Sequence, residues 1–234
     1  MPGTQRYLIV NADDLGASAA VNRGILEACE HGVVTSASLM VDMPGAEDFA
    51  RRREQVPQLS VGLHATLTSE DGELRIERSE CRAELERQLE RFEALLGRAP
   101  THLDSHHNVH LELASLGEVF AALAAELGVP LRARSAARYY ADFYGQWDDG
   151  ESHPELVSVE AFTETLEREV GPGVTELGCH PGYPGDGFES SYLVEREAEV
   201  RTLCDPRVRE RIEALGVRLI SFSELGAAAP APEA

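Results

Sequence analysis

The chain has 234 residues, enough for one large domain or two small ones around a sizeable core. With 43% hydrophobic and 26% charged residues, its balance is that of a globular protein, neither disordered nor membrane-embedded. The 41 acidic residues against 21 basic ones give a formal charge of −20, which repels phosphate backbones and argues against a nucleic-acid partner.

Every basic side chain is Arg. Without a lysine, neither Schiff-base chemistry nor a P-loop is open to the chain. No run reaches the roughly 18 apolar residues of a membrane span, and Met1 to Arg6 lack the basic and apolar regions of a signal peptide, so a cytoplasmic location is expected. Cys29, Cys81, Cys179 and Cys204 lie far apart with no CxxC pair and read as reduced thiols.

In chain order, Tyr7 to Val10 predicts a buried strand running into a polar turn at Asn11 to Asp14. Ser18 to His31 carries apolar residues at helical spacing before Gly32. A second strand segment spans Val33 to Val41, then a polar helix reaches about Glu54, and a third strand spans Leu59 to Thr68. Ser79 to Leu96 is a strongly amphipathic helix. Thr101 to His110 predicts a fourth strand, Leu111 to Leu127 a helix, and Leu131 to Ala136 a fifth strand. An aromatic loop from Tyr139 to Pro154, a helix over Val159 to Val170 and a strand over Val174 to Cys179 follow. Tyr192 to Leu215 predicts one helix and Val217 to Phe222 the last strand, before an Ala/Pro tail at 227–234 expected to be disordered.

This alternation predicts an α/β fold with a parallel sheet of about seven strands, one barrel-like domain over 1–226. No Gly-rich dinucleotide fingerprint follows the first strand; Asp13 and Asp14 stand there instead. Reactive groups of such folds collect at the carboxyl ends of strands, where Asp13, Asp14, His64, His106 and His180 all fall. Carboxylates and imidazoles converging on one mouth suit a divalent cation.

The segment Thr101 to His110 holds four histidines and an aspartate. On a regular strand His102 and His106 would stand roughly 13 Å apart, too far to share an ion. His106 is then the ligand, Asp104 orients an imidazole from behind, and His110 approaches only if the chain curls after Asn108.

Ile9 to Gly16, Gly32 to Met40, Val61 to His64 and Thr101 to His110 together resemble the YdjC family, which includes chitooligosaccharide and hopanoid-associated deacetylases. The resemblance is close over about residues 6 to 111 and resumes at Glu176 to Tyr183 and in the last helix and strand. It implies a (β/α) barrel-like fold related to polysaccharide deacetylases, one divalent ion, usually magnesium with zinc as the alternative, and removal of acetyl groups from sugars. It further implies Asp14, His64 and His106 as metal ligands, Asp13 as the base and His180 as the general acid, in a homodimer. Asn108 stands where the family often has histidine, and the segment after Thr68 is shorter than in many members.

Tyr139, Tyr140, Phe143, Tyr144, Trp147 and Tyr183 either stack on sugar rings, Trp147 and Tyr183 foremost, or form a subunit contact. Arg132 and Arg134, after a predicted strand, either orient Asp13 or hold substrate, or are plain surface arginines. Two rival readings keep the metal: a barrel phosphoesterase or sugar isomerase, which would recruit several Glu ligands, and a binding protein without catalysis.

Overall fold

The computed structural model describes residues 5–69, 71–147, 150–187 and 190–228. Among them β1 (Arg6–Leu15), α1 (Ala19–Glu30), β2 (Ser36–Leu39), α2 (Ala46–Arg52), β3 (Ser60–Ala65), α3 (Cys81–Leu96) and β4 (Leu103–Ser105) form the first half. Then come α4 (Val109–Glu112), α5 (Ala114–Leu127), β5 (Ala137–Tyr140), α6 (Val159–Glu169), β6 (Gly173–Cys179), α7 (Val194–Leu203), α8 (Pro206–Ala214), β7 (Val217–Leu219) and α9 (Leu225–Ala228).

Local chemistry sets many of these limits. Ser18 caps α1, its Oγ accepting from the Val21 N–H, and Ser158 caps α6 through the Ala161 N–H. Gly97 and Gly128 end α3 and α5 in the left-handed conformation. The single helix expected over Tyr192 to Leu215 is two, because Asp205 caps a new start and Pro206 takes its first position.

All strand pairings are parallel, in the order β4-β3-β2-β1-β6-β5, with β7 beside Arg6 to Leu8 of β1. The seven strands curve into a half-barrel. Leu103 on the β4 edge bridges Leu131, and the chain then crosses to β5 on the opposite edge, so 131–140 spans the opening.

Period-two alternation divides the barrel into layers. Leu8, Val10, Ala12, Ala37, Leu39, Val61, Leu63, Leu177 and Cys179 belong to the large core shared with the helices. The opposite face carries Ile9, Ala137 and Val174, joined by Ile220, Phe222 and Leu225 from the C-terminal segment in an apolar plug. Above that plug the same face presents buried Asn11, Asp13, Ser38, His64, Asp104 and Glu176. The barrel is therefore apolar below and densely charged toward the carboxyl ends of its strands.

Several expectations are corrected. β1 does not turn at Asn11 but continues to Leu15, since Asn11 and Ala12 pair with both β2 and β6. β4 stops at Ser105 because His107 (φ 56°) and Asn108 (φ 51°) adopt left-handed conformations that bend the chain into α4. The fifth strand lies at Ala137–Tyr140, not Leu131 to Ala136, and takes Tyr139 and Tyr140 out of the expected loop. Of the expected tail, Ala227 and Ala228 close α9, and 229–234 lie outside the described residues.

Candidate active site

Consecutive side chains of a regular strand point to opposite faces. At the end of β1 the register shifts between Ala12 and Leu15, and Asp14 has φ 63°. This bulge lets both Asp13 and Asp14 line one cleft. Asp13 turns toward Arg132 and Asp14 toward His64 and His106.

His64 is buried late in β3, where Asp104 pairs with it in register. Its Nδ1 lies 2.7 Å from Asp104 Oδ1, which leaves Nε2 facing Asp14 Oδ1 at 3.4 Å. His106 follows β4 directly, and its Nδ1 lies 3.1 Å from the same Asp14 oxygen. Asp104 thus orients an imidazole as expected, and that imidazole belongs to His64. Asp104 also accepts from Ser38 Oγ and sits 3.1 Å from Arg132.

Donors about 2.1 Å from a single ion stand about 3.0–3.4 Å apart at right-angled to tetrahedral geometry. Asp14 Oδ1 meets both imidazole nitrogens within that range, and it is buried without a well-formed hydrogen bond. The donor set therefore fits a divalent cation. A second group, Asp13, His64 and Asp104, is also close enough, but the guanidinium of Arg132 already occupies both of its carboxylates. Burial opposes a charge on His64, yet Asp104, Asp13 and Asp14 outweigh it and raise its pKa to about 10. A proton here does part of what a metal cation would do, balancing surplus carboxylate charge.

Arg132 is fully buried and serves three acids. Its NH1 and NH2 donate to the two oxygens of Asp13 at 2.7 Å each, and its Nε donates to Glu176 Oε1 at 2.7 Å. Asn11 Nδ2 donates to Asp13 Oδ1 at 2.8 Å. Burial raises the Asp13 pKa, but Arg132 overcomes it and holds this carboxyl below its ordinary value. Glu176 keeps one unpartnered buried oxygen, and burial foremost raises its pKa to about 7. Asp14 is likewise held well below its ordinary value: burial acts against this, but Arg196, donating to Oδ2 at 2.6 Å, and then His106 prevail.

His180 follows β6, its Nε2 3.9 Å from Asp13 Oδ2 and its ring edge-on to Tyr144. Its backbone N–H donates to Glu199 of α7, which also accepts from Tyr192 Oη. Burial lowers the His180 pKa to about 4, leaving a neutral ring near pH 7.

The structure brings Asp13, Asp14, His64, His106 and His180 together in one cleft of about 1240 Å³. Arg132 lies beneath Asp13 and orients it; Arg134 pairs with Glu118 near the surface. Tyr183 and Trp147 are not among the lining residues: Tyr183 donates to Glu27 on α1, and Trp147 stacks on His153. Phe143 belongs to the core, whereas Tyr139 and Tyr144 line the cleft. His102 stacks on Phe222, and His110 meets Ser105 Oγ at 2.6 Å, so neither faces Asp14. His107 lines the cleft against Thr68. Arg196, Glu176, Glu199 and Tyr192 were not anticipated; Glu176, an acid inside the apolar run Val174 to Cys179, offered a signal, whereas Arg196 and Glu199 stand among the many charges of α7 and offered none.

The YdjC-like protein family matches residues 7–214. A carbohydrate deacetylase of Geobacillus stearothermophilus is 38% identical, covering 94% of this chain and 98% of its own length. A chitooligosaccharide deacetylase of Serratia marcescens is 34% identical, with coverage of 94% and 100%. Among solved structures, a protein of Enterococcus faecalis V583 superposes with a TM-score of 0.82 at 29% identity, covering 95% of this chain and 99% of that one. A family 4 carbohydrate esterase of Streptomyces lividans, in complex with acetate, shares the fold with a TM-score of 0.60 at 16% identity, over 98% and 100%. The motifs that place two aspartates and two imidazoles around one mouth lie inside a match spanning nearly all of β1 to α8, and the chain belongs to the YdjC-like family.

Proposed function

We propose that the protein is a metal-dependent hydrolase that removes N-acetyl groups from carbohydrates. The observation that carries this is the placement of Asp13 and His180, 3.9 Å apart, beside the Asp14, His64 and His106 donor set in one cleft.

Asp14, His64 and His106 would hold the ion. When bound, it supplies a Lewis acid for the acyl oxygen and the attacking water. Asp13 takes the proton of that water as its oxygen bonds to the acetyl carbon. Arg132 keeps Asp13 weakly basic, so the proton passes readily to His180, which is neutral and ready to receive it. His180 delivers it to the departing nitrogen as the C–N bond breaks, and acetate and a free amine leave. One water is consumed: one of its protons reaches the amine through Asp13 and His180, and the other leaves the carboxyl product as it ionises to acetate, ending on the amine or in solvent.

Magnesium is the ion the resemblance implies. Two imidazoles and one carboxylate favour a zinc-type ion, because magnesium prefers oxygen ligands. A homodimer is proposed on the resemblance alone. A phosphoesterase or isomerase site would draw glutamates to the ion, but Glu176 and Glu199 are engaged elsewhere.

The test is acetate release from a panel of N-acetylated mono- and oligosaccharides, before and after chelation and after re-addition of magnesium or zinc, with H106A as control. Activity lost on chelation and regained with metal is expected. A metal-loaded protein that binds sugars but releases no acetate would leave the binding-protein reading standing instead.

A further inference from the structure

Helix α7 buries three charged side chains, Glu195, Arg196 and Glu199, where apolar residues would pack at lower cost. Two of them converge on one residue of the cleft. β6 pairs with β1 as far as Cys179, so the backbone of His180 lies beyond that ladder. Glu199 Oε2 accepts from the His180 N–H, and Arg196 NH1 donates to the His180 carbonyl at 3.3 Å. One turn of helix thus holds both backbone polar groups of the residue that carries the imidazole. The other oxygen of Glu199, Oε1, accepts from Tyr192 Oη, which in turn accepts from the Gly145 N–H at 2.8 Å. The Tyr192 and Tyr144 rings stack at 4.3 Å, and both meet the His180 ring edge-on, at 5.7 and 5.4 Å. Among the described residues, His180 Nδ1 is buried without a hydrogen bond, unlike the Nδ1 of His64, which Asp104 holds. The direction of the His180 ring is therefore left to its backbone and to the two tyrosines.

We propose that Glu199 is the positioning residue of His180: one oxygen fixes the main chain of His180, the other fixes the tyrosine wall beside its ring, and Nε2 is thereby kept beside Asp13, where the departing nitrogen takes its proton. This rests on the deacetylase reading. A carboxyl suits the task because both of its oxygens accept, and both partners, a backbone N–H and a phenol, donate. Burial foremost raises the Glu199 pKa to about 8, so near pH 7 the group is mostly the neutral acid and an amide is its close substitute. Beyond His180 the loop is pinned by other means. The Gly182 N–H donates to the Arg196 carbonyl at 3.2 Å and the Tyr183 N–H to the Ala20 carbonyl at 3.3 Å. On the α1 side a Cβ on Gly24 would stand 2.5 Å from Gly182 Cα, so the loop has no room to shift there. Loss of Glu199 therefore loosens His180 while the rest of the loop stays in place.

The test sets an N-acetylglucosamine oligomer, whose amine must be protonated to leave, beside para-nitrophenyl acetate, whose phenolate leaves without a proton. E199L removes both acceptors but keeps an apolar body of similar volume. On the oligomer its kcat should fall about 10–100-fold at nearly constant KM, the cost of a misplaced general acid, and on the ester it should stay within about threefold of wild type. E199Q should keep most of the activity on both. Magnetic resonance of the metal-free protein gives a readout besides turnover, because the two tyrosine rings shift the ring protons of His180. Those shifts should collapse in E199L and persist in E199Q, with H180A assigning the signals. Should E199L not fold, E199D, whose carboxyl is drawn back by one methylene, carries the same expectations. Equal loss on both substrates would overturn the proposal, as would an E199Q as impaired as E199L, or unchanged ring signals in E199L. If the wild type releases no acetate from the oligomer while the ring signals respond as described, the hydrolase reading fails and the positioning of His180 stands.

Discussion

His64 turns Nδ1 to Asp104 Oδ1 across 2.7 Å, and this contact decides which imidazole nitrogen faces the cleft. With one proton held on Nδ1, it is Nε2 that faces the place where Asp14 and His106 converge, and its lone pair becomes a donor once a cation displaces the second proton. Asp104 is fully buried and takes no place in that donor set. The variant D104A should therefore weaken metal binding by about 10–100-fold, the usual cost of losing a partner behind a metal-bound histidine. Competition with a chromophoric chelator measures it, and unchanged affinity would remove Asp104 from this role.

Asp13 lies against the donor set without sharing it, because Arg132 claims both its oxygens. D13N should lower kcat by about 100- to 10,000-fold, the range for a general base, with metal affinity close to wild type. Turnover and metal titration on the same preparation separate the two; retained turnover would exclude Asp13 as the base.

Glu176 accepts from Arg132 Nε and so sets the rotation of the guanidinium whose other edge holds Asp13. E176A frees that rotation, whereas E176Q keeps an acceptor. The expected result is a fall in kcat of about 10–100-fold for E176A at nearly constant KM, with most activity retained in E176Q. Steady-state kinetics of the two variants decide it.

Glu199 is raised from its ordinary 4.5 to about 8, by burial foremost. The folded state keeps a proton that the unfolded chain gives up, so this group's contribution to stability falls as pH rises from about 4.5 through 8. His102, His107, His110 and His180, lowered to about 4 chiefly by burial, act in the opposite sense only below their ordinary 6.5. Between pH 6.5 and 8, E199Q should thus gain stability relative to the wild type, read from urea midpoints across that window. Parallel curves would contradict the buried, protonated carboxyl.

Gly62 lies against the His102 ring, where an added Cβ would stand 2.5 Å from three ring atoms, while Phe222 stacks on that ring at 3.9 Å. With no room for the ring to retreat, G62A should cost about 1–3 kcal/mol by overpacking. Chemical denaturation checks this, and a neutral effect would show that the plug yields.

Residues near in sequence determined much of what was legible from it. Periodicity located the strands and most helices, Ser18 and Gly97 supplied their own caps, and strand-end chemistry singled out Asp13, Asp14, His64, His106 and His180. Local periodicity could not reveal that β4 ends at Ser105, because a lone pair of left-handed residues, His107 and Asn108, overrides an apparently strand-like run. Arg132 as an orienter of Asp13, 119 residues away, was one open reading that strand order had to decide, and the pairing of Arg196 with Asp14 across 182 residues was not legible at all. Those partners meet because β1 lies between β2 and β6 and the segment after Leu131 crosses the barrel opening. Side-chain type and spacing are properties of the chain, whereas the choice of which buried charges neutralise one another belongs to strand order, and only the assembled barrel makes it.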